Sequence, residues 1–154
     1  MKKININYFR ESMSKFATGI TVITLNKNNF YIGKTVNSFA SLSLKPPLVL
    51  FSLDKKSSSL SDYKKTKYLG INILSNKQKT ISNYFSSKKP KWNDTKFFLS
   101  KNKVPMIKDC IANLNCKKIK NINIGDHVIL ICEVTHVLTN DPNKPLIYFN
   151  SKYL

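Results

Sequence analysis

Short apolar runs separated by polar punctuation dominate this chain, and most of them have the length and β-branched character of strands. Helical spacing appears first over residues 7–17 (NYFRESMSKFA), where Phe9, Met13, Phe16 and Ala17 recur on one face. Asn7 is the predicted N-cap, and Thr18-Gly19 ends the helix. ITVITL then reads as a strand, Asn26 to Asn29 as a hairpin turn, and FYIGKTVNS as its partner, with Gly33 a weak point or bulge. Pro46-Pro47 excludes helix, and LVLFSL reads as a buried strand of continuous apolar character. SSLSDYKKTK predicts a short helix and YLGINIL a strand. Residues 76–86 predict a helix with Ile81 and Phe85 on one face. Residues 87–105 read as a polar, lysine-rich loop around Trp92. Two strands over 111–119 and 127–138, joined by Asn-Ile-Gly-Asp, precede a last strand, PLIYFN.

Many short strands with a few peripheral helices point to a mainly β fold. The expected architecture is a closed or nearly closed antiparallel barrel forming one domain over residues 1–154. There is no GxGxxG, no Walker loop and no HExxH, so a nucleotide would have to be held by other means.

The formal charge of +18 suggests a nucleic-acid surface. The pattern argues against one. Of the 26 basic residues only Arg10 is arginine, and the lysines are scattered rather than gathered in a stripe. A solvated lysine-rich face is the plainer explanation, and its positive field would attract anionic nucleotides. Cys110, Cys116 and Cys132 are odd in number and form no CxxC, which supports reduced thiols in a cytoplasmic protein over a disulfide framework or zinc site. The start MKKININYF lacks an apolar stretch of signal-peptide length, and no run approaches a membrane span. Neither nucleic acid nor membrane is expected as a partner.

The chemistry concentrates in residues 33–59, GKTVNSFASLSLKPPLVLFSLDKKSSS. Short hydroxyl and amide side chains crowd between two strands there. They allow a ligand to approach the backbone, as a flavin ring with its polar edge requires. Ser57, Ser58 and Ser59 precede a predicted helix, and Ser59 with Asp62 has capping-box spacing. With Lys55 and Lys56 just ahead, this segment is a candidate phosphate site; an ordinary N-cap is the simpler alternative.

The chain resembles the flavin reductase family, which has the Greek-key, FMN-binding split-barrel fold and supplies the reductase component of two-component flavin-dependent monooxygenases. The likeness runs from FRESMSKFATGITVIT through GKTVNSFASLSLKPPLVLFSLDKKSSS, YLGINIL and GDHVILICEV to PLIYFNSKY. It implies an NAD(P)H-dependent reductase that transfers hydride to FMN or FAD, with NADH or NADPH as co-substrate. It also implies a homodimer and a monooxygenase that receives the reduced flavin. The flavin contacts it implies fall on Thr35, Val36, Asn37, Ser38, Ser41, Ser52 and Leu53 around the ring. Ser57, Ser58 and Ser59 fall at the phosphate, and Phe85 and Ser86 near the tail or apolar rim. His127 is implied on the nicotinamide side, as the one catalytic side chain, with Tyr148 and Tyr153 at the same mouth. The sequence departs from the family at Lys34, where an apolar residue is common, and at Cys132, where glycine is.

Alternative readings accompany these. The same motif would serve an electron carrier that never releases FMN, and a strand-rich basic barrel could bind single-stranded nucleic acid through Tyr148, Phe149 and Tyr153. His127 could be a turn histidine bonded to backbone. His136 reads as a strand-surface residue, and Trp92 as the anchor of its loop or as a lid over the flavin.

Overall fold

A computed structural model describes residues 3–87, 90, 92, 94–140 and 144–154. In chain order they form α1 (Ile6–Ser14), β1 (Thr18–Gly19), β2 (Thr21–Lys27), β3 (Phe30–Val36), β4 (Ala40–Leu44), β5 (Pro47–Asp54), α2 (Leu60–Lys65) and β6 (Tyr68–Ile73). A 3₁₀ turn (Asn76–Gln78) leads into α3 (Lys79–Ser86). Then follow β7 (Phe97–Leu99), β8 (Pro105–Ile107), β9 (Ala112–Ile124), β10 (His127–Thr139), β11 (Ile147–Phe149) and β12 (Lys152–Tyr153).

The main sheet has seven strands in the order β3-β2-β6-β9-β10-β5-β4, and its ladders are all antiparallel. The sheet curls on itself. Ile23 and Leu25 of β2, Phe51 and Leu53 of β5, and Leu130 of β10 share one buried core with Leu69 and Ile71 of β6. Tyr63 of α2 plugs this core, its hydroxyl donating to the Ile23 carbonyl at 2.7 Å. The edges β3 and β4 are not hydrogen-bonded to each other, so the ladder is not closed into the expected barrel. They are joined by Asn37–Phe39, where the chain leaves the ladder to turn from one edge to the other.

A second core lies on the other side of β2. Ile20, Val22, Leu74, Phe85, Ile107, Cys110 and Leu146 build it, under α3 and the small sheet β1-β11-β12. Strand β2 is therefore buried on both faces from Thr21 to Leu25. Buried amides tie the layers together here. Asn72 donates to the Val22 carbonyl at 2.8 Å and accepts from the Ile107 amide at 2.8 Å.

Several elements differ from the sequence reading. The first helix is capped by Asn5 rather than Asn7, its carboxamide oxygen accepting from the Asn7 and Tyr8 amides at 3.0 and 2.9 Å. Strand β5 is fully buried on one face only: Val49, Phe51 and Leu53 are buried, and Leu48, Leu50 and Ser52 on the opposite face are half-buried. Gly33 sits in an unbroken β2–β3 register, without a bulge. The polar stretch after residue 87 contains the β7–β8 hairpin; its positions 88, 89, 91 and 93 lie outside the described residues. Among the described residues no helix is long and apolar enough to cross a membrane.

Candidate functional site

The β3–β4 connection, the end of β5 and the start of β10 converge on one hollow of about 360 Å³. Thr35, Val36, Asn37, Ser38, Ser52, Leu53, Ser57 and His127 line it, together with Lys34, Asp54 and Lys56. Register brings them there. His127 opens β10 opposite Asp54 on β5, and Leu53 pairs with Val128. The bend is pinned by Ser38, whose hydroxyl donates to the Ser52 carbonyl at 2.9 Å and accepts from the Ser52 amide at 3.0 Å. This pair of hydrogen bonds to one side chain holds the segment after β3 against β5. The Lys55 ammonium donates to the Gly125 carbonyl at 2.6 Å, and the Lys55 amide to the Asp126 carbonyl at 2.9 Å, fixing the β9–β10 turn against β5.

His127 is half-buried, its Nδ1 2.7 Å from the Asp126 carboxylate. This hydrogen bond and the imidazole charge pull the Asp126 carboxyl below its ordinary value. With Nδ1 engaged, Nε2 is the ring nitrogen left to meet a ligand. Thr35 donates its hydroxyl to the Ser82 carbonyl of α3 at 2.7 Å, which leaves its oxygen as an acceptor.

A second hollow, about 550 Å³, shares Lys34, Lys56 and Ser57 with the first. Its other walls include Phe30, Tyr31, Ser58, Ser59, Asp62 and Ser87. The sequence reading placed Lys56 beside the candidate phosphate site but missed Lys34, Asp54, Tyr31 and Ser87 as lining residues. The alternation of β3, which sends Tyr31, Gly33 and Thr35 to one face, was the signal for Tyr31.

Five expected site residues stand elsewhere. Ser41 is exposed on the edge strand β4, opposite Val49, and borders neither hollow. Phe85 is fully buried in the second core, beneath Gly33, and borders neither hollow. Ser86 is exposed and donates to the Asn83 carbonyl at 2.7 Å; its neighbour Ser87 takes the lining position. Tyr148 and Tyr153 face each other across the β11–β12 hairpin with ring centres 5.3 Å apart. Tyr153 bonds the buried Ser82 hydroxyl at 2.8 Å, and both rings pack on the second core rather than lining either hollow.

The phosphate argument from a helix start also changes. α2 has only six residues, and Ser59, at φ −94° and ψ 0°, makes no side-chain cap bond. An N-cap hydroxyl reaches the following amides from extended backbone, and Ser59 already has helical angles. Its hydroxyl instead lies 3.3 Å from that of Ser57. What this corner offers an anion is side-chain hydroxyls and lysines, not a helix dipole.

Trp92 packs edge-on against Phe85, Phe97 and Tyr31, at 4.9, 5.2 and 5.9 Å, as an anchor of its loop. His136 is exposed on β10. All three cysteines are free and buried. Burial pushes the Cys110 and Cys132 thiols up to about 12, which keeps them protonated and unreactive near neutrality.

The FMN reductase (NADH) SmoA of Agrobacterium fabrum is 35% identical over 94% of this chain and 82% of its own length. The NADH-dependent flavin reductase StyB of Pseudomonas fluorescens is 31% identical over 97% of this chain and 89% of its own. The solved structure of flavin reductase PheA2 in its native state superposes with a TM-score of 0.92 at 38% identity, over 98% of this chain and 97% of that one. The family model described as Flavin reductase like domain matches residues 13–154, and the chain belongs to that family.

Proposed function

We propose that this protein is an NAD(P)H-dependent flavin reductase that moves hydride from NADH or NADPH to FMN or FAD and passes reduced flavin to a partner monooxygenase. The single observation that supports it best is the 360 Å³ hollow, where the short polar side chains of β3, β5 and the Lys56-Ser57 corner meet His127. Its size lies in the range of small-molecule sites, about 300–1,000 Å³. The donor set fits a flavin. Around Thr35–Ser38 the side chains are short enough for a planar ring to reach backbone, and Asn37–Phe39 lie outside the sheet ladder. Leu53 and Val36 offer apolar contact, and Lys34, Lys56 and Ser57 offer charge and a hydroxyl to a phosphate.

In the mechanism this supports, bound flavin supplies the two-electron chemistry. The protein's residues orient and shield. Ser38 and Ser52 keep the seat rigid, so that a bound ring is held in one plane. Thr35 presents a hydroxyl oxygen that only accepts. His127, held at Nδ1 by Asp126, leaves Nε2 as the ring nitrogen that would meet a nicotinamide carboxamide or a developing negative charge in the hollow it lines. Related reductases bear on the partner: HsaB of Mycobacterium tuberculosis, 34% identical over 98% of this chain, is named as the reductase subunit of a flavin-dependent monooxygenase.

The finer reading has three further parts. The seven-stranded sheet acts as a split barrel, its open seam between β3 and β4 bridged by Asn37–Phe39. The protein works as a homodimer, supported by the bare apolar side chains on α1. It works in the cytoplasm, consistent with three unpaired thiols.

The test is direct. Purified protein given FMN or FAD should consume NADH or NADPH, and His127→Ala should lower kcat or raise the nicotinamide KM. Absence of consumption with either flavin and either nicotinamide overturns the reading.

A further inference from the structure

A separate, smaller hollow of about 170 Å³ lies between the β7–β8 hairpin, the start of β9 and the end of β10. It shares no lining residue with the two hollows described above. Register sets its walls. Leu114 and Cys116 of β9 turn into the core shared by β2, β5, β6 and β10, so Asn113 and Asn115 turn to the opposite face. Leu138 and His136 of β10 stand opposite these two asparagines. Phe98 and Met106, paired across the β7–β8 hairpin, supply the facing wall.

Both asparagines are nearly fully buried, at 2% and 4% exposure. Their nitrogens are fully used. Asn113 Nδ2 donates to Asn72 Oδ1 at 2.8 Å and to the Ile107 carbonyl at 3.0 Å. Asn115 Nδ2 donates to Asn102 Oδ1 at 2.8 Å and to Thr135 Oγ1 at 2.9 Å. Each carboxamide has two hydrogens to give, so these bonds fix which end is oxygen. The oxygens are left over: neither Oδ1 has a hydrogen-bond partner among the described residues. Two buried acceptors without donors, beside apolar side chains, call for a ligand that brings a donor on an apolar body.

Size and charge narrow the class. An apolar cavity of about 150 Å³ accepts one benzene ring, and this hollow is on that scale. Lys101 stands on its wall and the chain carries +18, which disfavours a cation. A carboxylate has no donor to offer the two oxygens. We propose that this hollow binds a neutral, single-ring aromatic alcohol or amine, of the phenol or aniline type. Its ring lies against Phe98, Met106 and Leu138, and its O–H or N–H donates to Asn113 or Asn115 Oδ1. The site is independent of the flavin seat.

Calorimetric titration with phenol and with toluene, with and without FMN, tests this. Toluene matches phenol in size and has no donor. Phenol should bind once per chain, about tenfold more tightly than toluene, whether or not FMN is present. Leu138→Trp fills the hollow from a half-exposed position and should abolish phenol binding with the melting temperature unchanged. Of Asn113→Leu and Asn115→Leu, at least one should bring phenol down to the toluene level. Should both of these variants fail to fold, Leu138→Trp and the comparison of the two probes decide alone. Equal binding of phenol and toluene, or binding of neither, overturns the proposal. So does phenol binding that survives Leu138→Trp, or a preference for phenol untouched in both folded asparagine variants.

Discussion

Tyr153 shows how a single hydroxyl can link distant parts of this chain. Its OH meets the fully buried Ser82 hydroxyl at 2.8 Å, and the carbonyl of the same Ser82 accepts from Thr35 at 2.7 Å. The C-terminal hairpin, α3 and the wall of the first hollow are thus joined through one residue. Tyr153→Phe would leave Ser82 Oγ buried without its partner, and a buried orphan costs about 1–3 kcal/mol. For a chain of this size that is a fall in Tm of several degrees, roughly 2–4 °C per kcal/mol. Adding Ser82→Ala removes the orphan, so the double variant should melt above Tyr153→Phe alone. Thermal unfolding of the four proteins in this cycle checks the coupling; additive losses would refute it. The sequence marked Tyr153 as chemically interesting but could not give its direction. That direction follows from the tight β11–β12 turn, where Asn150 and Ser151 take φ of 50° and 60° and fold Tyr153 back opposite Tyr148.

At the scale of elements, what was legible depended on periodicity. β2, β3, β6 and β10 announce themselves by β-branched runs flanked by turn residues, and their order along the chain was readable for that reason. The β7–β8 hairpin was not. Each strand has three residues, set among lysines, and one begins at Pro105, so composition read as loop. Its place is decided by tertiary bonds: Thr24 Oγ1 donates to the Pro105 carbonyl at 2.6 Å and Asn72 accepts from Ile107. The residues on β3, β5 and β10 that line the first hollow were legible because they come from one compact motif and one turn. That Phe85 and Ser86 fall outside both hollows was not legible, because helical spacing does not say which side of a helix faces a hollow. Gly33 explains where Phe85 went. A Cβ at Gly33 would lie 2.5 Å from two carbons of the Phe85 ring, which is fully buried and cannot swing aside. Gly33→Ala should therefore cost about 1–3 kcal/mol by overpacking β3 against α3. Phe85→Leu in the same chain should recover part of that loss, measured by denaturant midpoint. A Gly33→Ala protein as stable as the original would show that the two elements are not in this contact.

At the scale of the whole molecule, a charge of +18 and an uncovered apolar helix pull association in opposite directions. None of the residues of α1 is buried, and Phe9, Met13 and, just beyond the helix, Phe16 keep about half or more of their surface exposed. A nine-residue helix is marginal by itself. The bonds holding α1 to the rest of the chain are polar: the Asn150 amide donates to the Ser14 carbonyl at 2.7 Å, and Lys15 Nζ to Asn150 Oδ1 at 2.9 Å. Packing against a second copy would cover the apolar face, at the expense of bringing two strongly cationic chains together. Salt then has a definite sign. Screening weakens the repulsion and leaves apolar burial intact, so a dimer built on this face should strengthen as salt rises. A nucleic-acid complex behaves in the opposite way, because counterion release favours it at low salt. Light scattering should give twice the 17.7 kDa chain mass at high salt, with dissociation on dilution at low salt. Phe9→Asp with Phe16→Asp should shift the population to monomer at every salt concentration. A dimer insensitive to both substitutions would place the interface elsewhere, and a monomer at high salt and high protein concentration would remove it altogether.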